Sequence, residues 1–304
     1  MNSALRAQGL VFCGLAAAVS VASMLLPPLT DGVELLLISG LILALGVPHG
    51  ALDTVFARQV YQLRSVRAWL LAAMLYGGLM ALVVWTWVWS PTGFLIGFLL
   101  LSIAHFAGDL EPGVRTSSRI LYAGAALVLP ALRFESDVAR LFGFLAGPAS
   151  GDSLAATLSA LAWPWLACCV VAALAETRQH WRASVEMLAV VVLATCASPL
   201  VGFAVFFCGM HSLRHVIRTY QYADRASLVL LAGAAAVPML IVLLATAAVW
   251  VFLDQRTLSQ GVTQLLFVGL AALTVPHMVL VERVRLSGWR LGAAESRSIR
   301  RAAP

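Results

Sequence analysis

Long apolar runs separated by short polar connections make up most of this chain. A helix that crosses a lipid bilayer needs about 20 mostly apolar residues, and the pattern predicts such helices repeatedly. The second and fourth runs are short for a complete crossing. Residues 136–147 predict an additional helix at the membrane surface. The ten runs span residues 8–27, 33–48, 68–90, 93–108, 118–133, 153–175, 184–199, 201–219, 227–253 and 262–281.

Proline-containing dipeptides mark several of the boundaries between these runs. Pro27-Pro28, Ser90-Pro91 and Ser198-Pro199 are typical of turns or of the first turn of a helix. No long polar stretch is available to form a separate soluble domain. The pattern therefore predicts an all-α fold, a polytopic transmembrane helix bundle of about 8–10 spans, as a single domain over residues 1–304.

The composition supports a membrane protein. Hydrophobic residues make up 61% of the chain and charged residues 11%, and the mean hydropathy is +0.92. Soluble domains have about a quarter of their residues charged, which is more than twice this content. The five cysteines lie in apolar runs without the spacing of metal ligands, so we expect buried thiols and no disulfide framework.

The arginines predict the orientation of the chain in the membrane. They are concentrated in alternate loops, which is the pattern expected when those loops and both termini face the cytoplasm. We expect the protein to be a multi-pass protein of the inner (plasma) membrane. The densest basic stretch is the tail, about 283–304, which we expect to lie near anionic lipid. Because the arginines are scattered over many loops, the net charge of +6 does not indicate a nucleic-acid partner.

Five of the six histidines share one position in this topology. Each lies near the end of an even-numbered run, and every such run is predicted to travel from outside to inside. The five side chains should therefore lie in one layer of the cytoplasmic half of the membrane, where ionisable groups are rare and usually functional. They are His49, His105, His211, His215 and His277. His180 lies in a polar loop and is expected to be solvated.

The spacing of two of these histidines indicates a metal site. His211 and His215 are four residues apart, so on a helix they would share one face and could bind one ion. The alternative is that they only form hydrogen bonds with neighbouring helices. Imidazole ligands suit zinc, copper, iron or nickel, and the spacing does not choose among these metals.

Charged residues near the histidines offer further interactions. Asp53 and Asp109 each follow a histidine by four residues, so on a continuous helix Asp53 would orient His49 and Asp109 would orient His105. Each could also be a weak ligand, or a solvated charge at a helix end. Arg214 should face away from the paired histidines, and we expect it to extend to the cytoplasmic surface rather than pair with an aspartate.

Four motifs together resemble a known family. Gly46-Val47-Pro48-His49-Gly50-Ala51-Leu52-Asp53 is followed by Ala104-His105-Phe106 with Asp109, and His-Ser-Leu-Arg-His at residues 211–215 is followed by Pro276-His277-Met278. In order and spacing these motifs resemble those of the Brp/Blh family, the membrane-embedded β-carotene 15,15′-dioxygenases of bacteria and archaea. The resemblance extends from residue 46 to residue 278, and the motifs are more specific together than alone.

The resemblance implies a non-haem iron enzyme that cleaves β-carotene at its central double bond with O2 and gives two molecules of retinal. It implies Fe(2+) as the cofactor, with His49, His105, His211 and His215 as catalytic metal ligands. His277 would either hold a ligand in place or substitute for one. β-Carotene and O2 would be the substrates, the lipid bilayer would deliver the carotenoid, and a rhodopsin could receive the retinal. Phe106 and Phe207 would line the substrate path beside the ligands.

Two other functions fit a histidine-rich membrane protein. A metal transporter would place polar groups along a path through the membrane, near its midplane, whereas a single layer of histidines favours a fixed site. A retinal-protein assembly factor without cleavage activity would not require a tightly bound metal. A metal assay therefore separates the assembly factor from the enzyme.

Overall fold

Helices form nearly all of the computed structural model, which describes residues 3–27, 29–222, 228–251 and 257–287. These ranges contain no β-strand, which confirms the predicted all-α membrane bundle. In chain order the helices are α1 (Ser3–Leu25), α2 (Asp31–Leu41), α3 (Pro48–Ala51), α4 (Asp53–Tyr61), α5 (Val66–Trp89), α6 (Pro91–Phe106), α7 (Thr116–Val128), α8 (Glu135–Ala146), α9 (Pro148–Cys196), α10 (Pro199–Ala204), α11 (Leu213–Tyr222), α12 (Leu228–Val251) and α13 (Leu258–Ser287).

Three short segments of different helical geometry connect some of these helices. A 3₁₀ turn, Leu129–Leu132, extends α7. A π-helical segment, Ile42–Gly46, joins α2 to the turn before α3, and a second, Val205–Ser212, joins α10 to α11. Both π-helical segments immediately precede or contain one of the five predicted site histidines, and π-helical turns are frequent at functional sites.

Seven helical stretches of the described ranges are long and apolar enough to cross a membrane, so the protein is a multi-pass membrane protein. One of them, α9, bends back on itself at His180, whose backbone is not helical (φ −135°, ψ 50°). The Ser184 hydroxyl donates to the Ala173 carbonyl at 2.7 Å, a contact that residues eleven apart cannot make along a straight helix. Helix α9 therefore supplies two antiparallel segments, as the two separate apolar runs predicted.

The second predicted run, residues 33–48, covers only part of a longer helical stretch. The structure continues it as one irregular helical path, Gly32–Arg58, which includes α2, the first π-helical segment, α3 and α4. This path is irregular, since the π-helical turn follows α2 and Leu52 separates α3 from α4. The orientation of the termini, the single domain and the position of the basic tail stay predictions, and the tail from residue 288 lies outside the described residues.

Proline begins four of the helices, and the boundary dipeptides predicted two of them. Pro48, Pro91, Pro148 and Pro199 each occupy the first helical position of α3, α6, α9 and α10. Proline is favoured there because the first residues of a helix have no intrahelical partner for an N–H group. The predicted surface segment 136–147 is helical as well, and it forms α8, which packs along α9.

Close packing of α7 against α9 forms the centre of the core. Helix α7 contributes consecutive small residues, Ala123, Gly124, Ala125 and Ala126, all of them buried. Gly124 faces the Trp165 ring, and the Trp165 indole N–H donates to the Leu121 carbonyl at 3.0 Å. Small residues let helix backbones approach closely in membranes, where packing replaces the hydrophobic driving force.

Candidate metal centre

The two π-helical segments pack against each other, and His49 lies beside Phe207 and His211 of the second segment. Gly46 ends the first segment and lies against Phe207 of the second, so closely that a Cβ atom at Gly46 would overlap the ring. The Gly50 N–H bonds to the Val47 carbonyl rather than to Gly46. The free Gly46 carbonyl instead accepts from the Ser212 hydroxyl at 3.2 Å and contacts His49 Nδ1. The irregular backbone thus frees a main-chain carbonyl as a partner for the His49 ring.

The five predicted histidines come together as one cluster. His49 lies 5.1 Å from His211, 5.5 Å from His215 and 5.2 Å from His277, measured between ring centroids. His105 lies 4.5 Å from His211 and 5.1 Å from His277, and His215 lies 5.0 Å from His277. Four of the rings are buried and His105 is half-buried. The structure therefore brings the five histidines into one compact group, contributed by α3, α6, the second π-helical segment, α11 and α13. Their depth in the membrane stays a prediction.

The two aspartates bind histidines, but not the histidines that the spacing predicted. Asp109 accepts from His211 Nδ1 through both carboxylate oxygens at 3.1 Å, rather than contacting His105. Asp53 accepts from His277 Nδ1 at 2.7 Å, rather than orienting His49. The prediction was wrong because it assumed continuous helices. Helix α3 ends at Ala51 before Asp53 begins α4, and α6 ends at Phe106 before Asp109.

The hydrogen bonds at Nδ1 determine what the other ring nitrogen can do. In a neutral imidazole one nitrogen carries the proton and the other carries a lone pair. Because the Nδ1 atoms of His211 and His277 donate to carboxylates, their Nε2 atoms present lone pairs. The Nε2 atoms of His211, His215 and His277 are buried without any hydrogen-bond partner. Buried nitrogen atoms are rarely left unpaired, so this cluster has the chemistry of a metal site.

The distances between ring nitrogens also fit one ion. One ring nitrogen from each of His49, His105 and His277 lies within 4.8 Å of the other two. Nitrogen ligands about 2.0–2.1 Å from one metal ion, as for zinc, cannot be farther than about 4.2 Å from each other, so a small inward shift completes the site. The donor set is entirely imidazole, which suits a transition metal and not calcium or magnesium.

Arg214 is buried beside the histidine cluster and binds side chains of two other helices. The expectation that it extends to the cytoplasmic surface was wrong. It is 1% exposed, and it donates to both carboxylate oxygens of Glu186 at 2.7 and 3.0 Å. It also donates to the Gln8 side-chain oxygen at 2.8 Å, and the Gln8 amide donates to the Gly209 carbonyl at 2.7 Å. A buried arginine needs such partners, because its charge cannot be left unpaired inside a membrane.

Two arginines position Asp109 by its backbone. Arg214 and Arg218 donate to the Asp109 carbonyl at 2.9 and 2.8 Å, which fixes the loop after α6. Burial would raise the pKa of the Asp109 carboxyl, but the neighbouring His211, Arg218 and Arg214 outweigh burial and hold that pKa below its ordinary value. Asp109 is thus an ionised acceptor that keeps the His211 proton on Nδ1.

Aromatic side chains surround the histidines. Phe106 meets His211 edge-on at 4.8 Å, and Phe207 stacks on His211 at 5.7 Å with ring planes 20° apart. Phe56 packs against His215 at 5.7 Å. The placement of Phe106 and Phe207 beside the site agrees with the expectation from sequence. These rings form an aromatic shell around part of the histidine cluster.

An apolar cavity of about 70 Å³ lies close to this aromatic shell. Its walls come from α6, α7, α8, α10 and α13, and Phe203 of α10 forms part of its lining. The Phe203 ring stacks on Phe207 at 5.4 Å, and Phe207 in turn contacts His49 and His211. The cavity is therefore two aromatic rings away from the histidine cluster.

His180 is not part of the cluster, as predicted, but it is not fully solvated. Its side chain is 21% exposed, and Nδ1 lies 3.3 Å from the Glu111 carboxylate. It occupies the break in α9, where the loop after α6 packs over it at Gly113. The prediction failed because the loop that covers His180 lies about seventy residues earlier in the chain.

Sequence analysis missed four polar residues that support the site. Tyr76 donates to Asp53 at 3.0 Å, and the Ser212 hydroxyl lies 2.9 Å from His49 Nδ1. Gln8 and Glu186 complete the Arg214 network. Each interrupts or borders an apolar run, and polar residues within membrane spans are a recognisable signal of function.

Comparison with known proteins agrees with this geometry. A sequence profile described as Beta-carotene 15,15'-dioxygenase matches residues 40–284, which include all five clustered histidines. The chain is 30% identical over 252 residues to a Beta-carotene 15,15'-dioxygenase from an uncultured marine bacterium, 66A03, covering 80% of this chain and 90% of the relative.

A second relative is more distant. The chain is 26% identical over 279 residues to a probable beta-carotene 15,15'-dioxygenase, Blh, of Halobacterium salinarum, covering 78% of this chain and 80% of that protein. No solved structure matches the chain. Because the family profile covers most of the chain and the match includes the whole histidine cluster, the chain belongs to the beta-carotene 15,15'-dioxygenase family.

Proposed function

We propose that this protein is a membrane-embedded dioxygenase that cleaves β-carotene at its central 15,15′ double bond with O2 and releases two molecules of retinal. The observation that carries the proposal is the buried cluster of five imidazoles, three of which leave Nε2 without a partner, in a chain of the beta-carotene 15,15'-dioxygenase family. The reaction balances without an external reductant, because one O2 supplies the oxygen atoms of both aldehydes.

The proposed metal is Fe(2+), held by His49, His105, His211 and His215. The donor set fits a transition metal, and Asp109 supports the ligand His211, whose proton must stay on Nδ1. When bound, reduced non-haem iron supplies the electrons with which O2 becomes reactive toward an electron-rich double bond. The protein supplies the fixed imidazoles and a dry surrounding for this chemistry.

The side chains near the cluster are suited to a long apolar substrate. Phe106 packs on Phe206, Phe207 and His211, and these rings would exclude water from the reacting double bond. We propose that the polyene passes over Phe207 and that the cavity beside Phe203 receives part of it. Dispersion contacts with aromatic and aliphatic walls would hold a substrate that offers no hydrogen-bonding groups.

The proposed location is the inner (plasma) membrane. β-Carotene dissolves in the bilayer, so a site surrounded by spanning helices can receive it laterally from lipid without a water-filled cleft. Retinal would leave by the same phase, and its uptake by a rhodopsin stays a prediction. A metal transporter and an assembly factor without cleavage activity are the alternatives that the following experiment tests.

The experiment is expression in a bacterium that accumulates β-carotene, followed by pigment extraction and chromatography of carotene and retinal. The wild-type protein should consume β-carotene and yield retinal as the product. His211→Ala should abolish cleavage, and His180→Ala, a histidine outside the cluster, should retain it. Unchanged β-carotene in cells whose membranes contain the folded wild-type protein would contradict the proposed activity.

A further inference from the structure

His277 has the same hydrogen-bonding arrangement as His211. Each ring donates from Nδ1 to a buried aspartate, His277 to Asp53 and His211 to Asp109, and each leaves Nε2 buried without a partner. His277 is 2% exposed and lies on α13, a helix distant in sequence from every other histidine of the cluster. By the criteria of hydrogen bonding and burial, the two residues are chemically equivalent.

The distances place His277 inside the cluster rather than behind it. Its ring centroid lies 5.2 Å from His49, 5.1 Å from His105 and 5.0 Å from His215. A residue that only held another ligand would donate to that ligand's second nitrogen, whereas His277 donates away from the cluster to Asp53. One of its ring nitrogens also lies within 4.8 Å of a ring nitrogen of His49 and of His105.

A second hydrogen bond holds the Asp53 carboxylate in place, whereas Asp109 is held by arginines at its backbone carbonyl. The Tyr76 hydroxyl donates to the second carboxylate oxygen of Asp53 at 3.0 Å, so one oxygen faces His277 and the other is held by α5. Asp53 begins α4, directly after the helix that carries His49. The same short stretch of chain therefore contributes one histidine to the cluster and orients a second histidine from α13.

We infer that His277 is a further metal ligand, and that Asp53 and Tyr76 are its positioning residues. The inference rests on the proposed function, because it assumes that the cluster binds iron. Five imidazoles would leave one position of a six-coordinate ion, whereas four would leave two. The polyene would then be held by the aromatic walls alone and would not need a coordination position of its own.

The test is the iron affinity of purified protein, measured without air by competition with a chelator. The variants are His277→Ala, Asp53→Asn and Tyr76→Phe, with His180→Ala as the matched control. Losing an outer partner of a ligating histidine typically weakens metal binding about 10–100-fold, so we expect that loss for Asp53→Asn. We expect a greater loss for His277→Ala, a smaller one for Tyr76→Phe and none for His180→Ala.

The electron paramagnetic resonance spectrum of the nitric oxide adduct of the ferrous protein is the second readout. A ligand change alters the symmetry of that spectrum, whereas a loss of stability in the bundle alone does not. We expect an altered spectrum for His277→Ala, and a smaller change for Asp53→Asn. If His277→Ala does not fold, Asp53→Asn and Tyr76→Phe decide the question, because both nearly preserve side-chain volume.

The outcomes separate the two proposals. Wild-type affinity and an unchanged spectrum in the folded variants at His277 and Asp53 would overturn the role of His277 and leave the proposed function standing. A wild-type protein that binds no iron would overturn the proposed iron cofactor itself. Iron binding that weakens in the expected order supports both.

Discussion

The membrane spans of this protein differ in how much of their surface other helices bury. In the span Pro199–Gln221, which carries His211, Arg214 and His215, 72% of the residues of the most apolar stretch are buried. The spans Val66–Trp89 and Leu231–Val251 have no buried residue in their most apolar stretch. The buried span includes a π-helical segment and a charged arginine, whereas the exposed spans are α-helical throughout and almost entirely apolar.

The difference follows from where hydrogen-bonding partners are available. Lipid offers none, so a span that faces lipid must satisfy its backbone within one regular helix and avoid charge. A span surrounded by protein can depart from regular geometry, because neighbouring helices supply the missing partners. Gln8 does so for the Gly209 carbonyl, and Glu186 does so for Arg214. Surrounding helices thus make the irregular, polar site possible.

The largest expected effect comes from removing one partner of the buried ion pair. Glu186→Ala leaves the Arg214 charge buried and uncompensated, which typically destabilises a protein by about 3–5 kcal/mol. Thermal unfolding in detergent should show the loss, and combining Glu186→Ala with Arg214→Met should recover part of it. Equal stability of wild type and Glu186→Ala would show that the pair does not hold the buried span.

A charge on a lipid-facing span tests the other side of the comparison. Ile241, at the middle of Leu231–Val251, is 61% exposed. Ile241→Arg should cost about 2.5–3.5 kcal/mol of membrane insertion, because no helix supplies a counter-ion there. The fraction of chains inserted in membranes measures this cost, with Ile241→Leu as the control. Normal insertion of the arginine variant would mean that α12 is covered by protein.

An intermediate effect is expected at the carboxylate behind His211. Asp109→Asn keeps the shape of the side chain but removes the charge that holds the His211 proton on Nδ1. Metal affinity should fall about 10–100-fold, by the usual cost of an outer partner. Chelator competition on the purified variant measures the change. Wild-type affinity would exclude Asp109 from positioning His211.

The smallest effect is expected from an alanine on an exposed helix. Gly77 of α5 has open space where a Cβ would lie, so Gly77→Ala should stabilise the helix by about 0.5–1 kcal/mol. The same change at Gly9 should destabilise the protein, because a Cβ there would overlap the Glu186 carboxylate. Thermal unfolding of both variants gives the sign, and a destabilising Gly77→Ala would contradict the exposed position of α5.

Sequence reasoning succeeded where the membrane itself imposes the pattern. The apolar runs predicted the helices, and the alternation of loops predicted that five histidines lie near one another. The structure brings these five into one cluster, namely His49, His105, His211, His215 and His277. It failed where contacts distant in sequence decide the outcome. The two π-helical segments meet where Gly46 packs against Phe207, and no local sequence pattern predicts them.

The same limit explains the exchanged aspartate partners. The spacing of His49 and Asp53 is helical in sequence, but Leu52 separates α3 from α4 and redirects Asp53 toward α13. Arg214 donates a hydrogen bond to Gln8, which lies more than two hundred residues earlier in the chain. Sequence spacing cannot reveal such a contact. Local patterns therefore located the site, and tertiary contacts determined which groups hold each ligand.

The metal content of the purified protein tests the central claim most directly. Protein prepared without air and loaded with ferrous iron should retain the metal stoichiometrically after gel filtration, and His211→Ala and His215→Ala should lose it while remaining folded. Wild-type protein that is folded but retains no metal would contradict the claim, as would equal retention in both histidine variants.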